Sequence, residues 1–173
     1  MTPEFSRPER LDTIGGEPRI VEIAADAEER RRLAGRFGLI AIDRLAATFT
    51  IHRDATGIRA DGRVVAGVTQ ACSVTGDPLP ATVDEKVALR FVAAGDATED
   101  EVELGEDALD TIEIEGGAID LGEAAAETLM LALDPFPRQP RAAEALRAAG
   151  VVAEDQAGPF SALASLKDKL GKR

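Results

Sequence analysis

Three sets of side chains in this chain have types that could do chemistry, and each lacks a companion. Asp120, Glu123 and Glu127 fall within about 60° of one another on a helical wheel. Such a stripe binds a metal or works as acid and base when a histidine, or carboxylates from a facing helix, complete it. The single histidine, His52, lies in another region. The stripe therefore reads as a solvated helix face. Asp96, Glu99, Asp100, Glu101 and Glu103 offer oxygens to a cation, without the alternate acids, central glycine and closing glutamate of an EF-hand loop. Cys72, the only cysteine, sits in the apolar register of a strand. A nucleophile needs a base and a lowered pKa, so this thiol reads as a small buried hydrophobe. His52 alone builds neither a triad nor a zinc site. No Walker or dinucleotide-binding glycine loop is present. The expectation is a protein that is not an enzyme, with no cofactor, no metal and no small-molecule substrate.

What is left is charge. Arg30, Arg31, Arg32 and Arg36 form the one dense basic cluster, and Glu28 and Glu29 stand at pairing distance along the same helix. Arg59, Arg63 and Arg90 lie on wet strand registers and could extend it. Arg30, Arg31, Arg36, Arg59 and Arg63 are thus candidate contacts for RNA phosphates. With no tyrosine or tryptophan, stacking of bases on aromatic side chains is not expected. Opposed to these arginines is one acidic block. Residues 93–134 carry 14 carboxylates and no lysine or arginine. Residues 1–92 hold 13 basic and 14 acidic side chains, and residues 135–173 hold 7 and 4. One segment therefore sets the formal net charge of −12. Within it, Glu99, Asp100, Glu101 and Glu103 are candidate contacts for a basic protein. A pI near 4.6 disfavours bulk binding to phosphate, which depends on clustered cations.

The elements that position these groups follow from periodicity. Residues 1–17, with prolines and Gly15-Gly16, read as a flexible arm. Arg19–Ile23 is a first strand. Asp26 caps a helix through Phe37, ended by Gly38. Three strands with period-2 patterns follow, near 45–52, 58–72 and 83–91, joined by turns at Asp54–Gly57 and Thr75–Pro80. Glu85 is the exception, an acid in the apolar register. Residues 95–108 read as an acidic loop. Thr111–Ile114 is a short strand, and Asp120 caps a helix to about Leu133. Pro135, Pro137 and Pro140 impose an extended stretch, followed by a short helix from Arg141 to Ala149. An amphipathic helix over 159–170 closes the chain, and its Phe160, Leu163 and Leu166 are candidate partner contacts. The expected architecture is α+β: an antiparallel meander curling toward a partly closed barrel, packed by two helices, with a helical tail. The domain spans 18–137, and 138–173 is linker and tail. No apolar run approaches the ~20 residues that span a bilayer. With one cysteine and no apolar leader, the reading is cytoplasmic, away from membranes.

Several stretches together resemble one family. They are Gly62–Thr75 with the proline-containing turn after it, Ile119–Leu129, Leu131–Arg138, and Gly158–Leu163 with Leu166-Lys167. The chain is similar in these to the YceD family of bacteria and plastids, in its alphaproteobacterial form. The resemblance runs from about residue 19 to 170. It implies a role in accumulation of 23S ribosomal RNA and production of the large ribosomal subunit. It also implies 23S RNA or a pre-50S particle, or a basic large-subunit ribosomal protein, as partner. The alternative is an acidic adaptor that binds protein without touching RNA. The resemblance supplies no catalytic residue. Many members carry a Cys-x-x-Cys pair on the central strand. Here the positions are Cys72 and Thr75, so a metal or redox role for the pair does not carry over.

Overall fold

The computed structural model describes residues 3–93, 110–114 and 116–151. The expected loop 95–108 and terminal helix 159–170 lie outside them. The chain divides into two compact units, residues 1–70 with 80–135, and residues 71–79 with 136–173.

Alternation of branched apolar and polar residues builds the sheet of the first unit. Its strands are β2 (Arg19–Ala24), β3 (Ala41–Asp54), β4 (Gly57–Ala71), β5 (Pro78–Ala93) and β6 (Asp110–Ile114), adjacent in that order. Leu45, Phe49 and Ile51 of β3, Ile58, Val64 and Val68 of β4, and Val83, Val87, Leu89 and Phe91 of β5 all bury their side chains. Side chains at every second position share a face, so these residues line one continuous apolar surface. β2 pairs antiparallel with β3, and β3 with β4. β6 departs from the meander and pairs parallel to β5, Leu89 opposite Asp110 through Ala93 opposite Ile114. Alternation fixes faces but carries no sign of strand direction, so the sequence did not show this step. Among the described residues β2 and β6 are the sheet's edges, and the sheet is not closed. Gly62 marks a close approach of β3: a Cβ there would lie 2.5 Å from the Thr48 oxygen and 2.7 Å from the Phe49 ring.

Two helices cover the apolar face. In α1 (Ala27–Phe37) Asp26 accepts hydrogen bonds from the Glu28 and Glu29 amides, and the Glu29 carboxylate accepts one from the Asp26 amide. This reciprocal capping box starts the helix, and Gly38, at φ 66°, ends it in the left-handed conformation that glycine adopts freely. Leu33 and Ala34 are its buried side. In α2 (Leu121–Ala132) Asp120 is the cap, and Leu121, Ala124, Ala125, Ala126 and Leu129 are buried.

Within residues 3–17, Phe5 and Ile14 join the core. Pro8–Arg10 forms β1, paired with β7 (Ala118–Asp120). Phe5 is fully buried and Ile14 is 5 % exposed. Gly122 makes room for this, since a Cβ there would lie 2.6 Å from the Phe5 carbonyl oxygen. Pro8 suits the edge position of a two-stranded ribbon. In a chain with so few aromatic side chains, Phe5 supplies a large share of core volume.

Candidate interaction surfaces

The five candidate arginines fall on opposite sides of the sheet. Arg30, Arg31 and Arg36 belong to α1, whose Leu33 and Ala34 share the apolar cluster with Ile58 and Val64. Arg59 and Arg63 occupy the alternate register of β4, facing away from that cluster. Each also has a partner within the chain. Arg30 donates to the Ala25 carbonyl at 2.7 Å, and Arg31 lies 4.0 Å from Glu28. Arg36 donates to Glu123 at 2.6 Å and to Glu4 at 3.0 Å. Those hydrogen bonds, Glu123's first, raise its pKa above the ordinary arginine value. Arg59 pairs with Asp61 at 2.6 Å, and Arg63 is held by both oxygens of Asp84. Arg63 in turn lowers the Asp84 pKa through these hydrogen bonds.

The acidic stripe on α2 separates into different environments. Asp120 is structural: it accepts from the Ser6 hydroxyl at 2.5 Å, the Arg7 amide at 2.7 Å, and the Gly122 and Glu123 amides. Glu123 is taken by Arg36. Glu127 has no partner among the described residues and lines a groove of about 690 Å³ with β5 and β6. Glu85, the acid in the apolar register, lines the same groove, as does Asp110. Neither has an ion-pair partner among the described residues. Sequence reasoning did not assemble this groove, because it depends on β6 lying parallel to β5. The one local signal was Glu85 out of register. The candidates Glu99, Asp100, Glu101, Glu103, Phe160, Leu163 and Leu166 lie outside the described residues.

A second polar network, around Arg7, escaped the sequence reading. Arg7 donates to both oxygens of Glu29, at 2.7 and 2.9 Å, and to the Ala24 carbonyl at 3.0 Å. The Arg7 hydrogen bond is the main cause of a Glu29 pKa below 4.5. This network ties residues 6–7 to both helix caps. His52 lies in the alternate register of β3, and its Nδ1 is buried with no hydrogen-bond partner among the described residues.

In the second unit Cys72 is 3 % exposed. Hydrogen bonds from the Thr75 hydroxyl, then from the Gln139 amide and the Thr75 and Val74 amides, lower its pKa from 9.0 to about 7. The Gln139 side chain donates to Thr75 Oγ1 at 2.9 Å and to Asp77 at 2.8 Å, which fixes the turn. α3 (Ala142–Ala148) follows, with Ala142 buried. Among the described residues no group of three or more His, Cys, Asp or Glu side chains could hold a metal ion. Among them, too, no helix is long and apolar enough to cross a membrane.

Comparison with known proteins supplies one match. A family model described as large ribosomal RNA subunit accumulation protein YceD matches residues 60–167. No curated protein and no solved structure matches the chain.

Proposed function

The chain belongs to the YceD family, and from that premise we propose that it acts as a non-catalytic cytoplasmic factor in large ribosomal subunit biogenesis. It supports 23S ribosomal RNA accumulation by holding a basic large-subunit ribosomal protein on its acidic side until that protein meets RNA. The observation that carries this reading is the distribution of charge. Fourteen carboxylates stand between residues 93 and 134 without one cation. The candidate arginines, by contrast, are engaged with carboxylates or a carbonyl of their own chain. A basic protein has to reach its RNA site without binding other polyanions. An acidic partner screens its charge and releases it when a stronger polyanion competes. Contact with RNA through Arg30, Arg31, Arg36, Arg59 and Arg63 is the second route to the same role.

A tagged full-length chain, recovered from cells at moderate salt with and without ribonuclease, tests this. The expected result is a large-subunit ribosomal protein that stays bound after ribonuclease treatment. Recovery of 23S RNA or pre-50S particles that ribonuclease abolishes, with no protein retained, would overturn the acidic-side reading in favour of the arginine route.

A further inference from the structure

We propose that the pocket between α1 and the start of β3 takes one side of an acidic amphipathic helix from another protein. A large aliphatic side chain of that helix enters the pocket, and its carboxylates meet Arg30 and Arg31. This goes beyond the acidic-side reading and uses none of its residues. Three observations converge on it. The first is a glycine that its own chain does not require. Gly35 lies within α1, where glycine is destabilising relative to alanine because it loses more backbone freedom. Gly62 and Gly122 are forced, since a Cβ at either would strike backbone atoms of a neighbouring segment. A Cβ at Gly35 would meet nothing within 4 Å. The space beside it is open, and a position without a side chain lets a second helix come close. The second observation is shape. The pocket holds about 310 Å³, at the small end of ligand sites. Buried Ala34 and Ile42 line it together with Leu39, and Ile40 stands beside them 52 % exposed. The third is charge. Arg30 and Arg31 line the pocket, and among the described residues no carboxylate does. Arg30 donates to a carbonyl, a neutral group that does not offset its charge. Arg31 is 4.0 Å from Glu28, which sits closer to Arg32, at 3.1 Å. Exposed pairs of this kind are weak, so Glu28 gives way to a better-placed carboxylate. At physiological salt, charges more than about 8 Å apart are largely screened, so the local arginines outweigh the chain's net charge for a ligand in the pocket. A phosphate gains nothing from the aliphatic lining, and no aromatic side chain lines the pocket for a base to stack on. Arg31 stands one helical turn before Gly35, which sets the partner's carboxylates one turn from its inserted side chain.

The test uses the full-length chain and two synthetic peptides of about fourteen residues, both made of leucine, glutamate and alanine in equal proportions. In one, leucines recur at three- and four-residue spacing with glutamates a turn away, so both types share one side of a helix. In the other, the same residues are distributed around the helix. Affinity is read by fluorescence anisotropy at physiological salt. The one-sided peptide should bind about tenfold tighter than the distributed one. Arg30→Gln with Arg31→Gln should weaken it about tenfold and flatten its salt dependence. Gly35→Leu is the sharper variant. It fills the pocket, leaves both arginines in place and adds a better helix former, so binding should fall about tenfold while the thermal unfolding midpoint does not fall. Ile40→Ser reads the pocket independently through an exposed side chain, with an expected loss of about threefold. Equal binding of the two peptides, no binding of either, or unchanged binding by Gly35→Leu would each overturn the proposal. Tighter binding of a single-stranded RNA of equal charge would overturn it in favour of phosphate contact. A dimer of the chain in sedimentation that Gly35→Leu dissolves would overturn it in favour of a second copy.

Discussion

Two regions of this molecule are built from the same residue types and use them in opposite ways. Around Arg7, carboxylates and arginines meet within hydrogen-bond distance: Arg7 with Glu29, Arg36 with Glu4 and Glu123, and Asp120 with Ser6 and the Arg7 amide. Along the groove, Glu85, Asp110 and Glu127 have no such partner among the described residues. The first set ties the N-terminal segment to both helix caps. The second leaves its field open to whatever arrives. A count of charges does not distinguish them; their partners do.

The contrast breaks most visibly at Phe5 and Leu131. Phe5→Ala empties a fully buried site and should cost about 3 kcal/mol of unfolding free energy, read by urea denaturation. Leu131→Ala should change stability by less than about 0.5 kcal/mol, because its side chain is already in water. A small loss at Phe5 would mean that residues 3–14 are not part of the cooperative unit. Next in size is Asp120→Ala, which removes a helix cap and two long-range hydrogen bonds. The expected loss is about 2 kcal/mol.

Glu29→Gln should cost about 1 kcal/mol at neutral pH. Its pH dependence has a definite sign. The Glu29 pKa is lowered in the folded chain. Its contribution is therefore present above the ordinary 4.5 and lost as pH falls through the folded value. The stability gap between the wild type and Glu29→Gln should close in acid. A gap that stays constant would place the effect in packing. Glu85→Lys and Glu127→Lys should leave stability within about 0.5 kcal/mol. The smallest effect is chemical. Thr75→Ala should move the pH midpoint of Cys72 alkylation upward from about 7, because the hydroxyl is the leading cause of the lowered value.

Much of the scaffold was legible in the sequence because its signals are local. Asp26 with Glu29 and Gly38 marks both ends of α1 within a few residues. The alternation from Leu45 to Phe91 marks three strands and their buried face, and Asp120 marks the start of α2. What escaped depends on residues far apart in the chain. The parallel placement of β6 follows from where the chain returns after residue 109, and alternation does not record this. Phe5 joins the core only because Gly122 lets its backbone approach. The arginines' neutralisation is partly local, as with Arg59 and Asp61. For Arg36 it depends on Glu123, 87 positions away. The groove was legible only as an anomaly, a glutamate at position 85 where the pattern asks for an apolar residue.

The most direct measurement is the ratio of 23S to 16S ribosomal RNA in cells whose only copy of the protein is altered in one region at a time. One variant replaces the carboxylates between 96 and 113 by their amides, and the other is Arg30→Gln with Arg31→Gln. Circular dichroism and thermal unfolding verify that both fold. The account predicts a lowered ratio for the first variant and an unchanged ratio for the second. A lowered ratio for the arginine variant, with the amide variant unaffected, would contradict it.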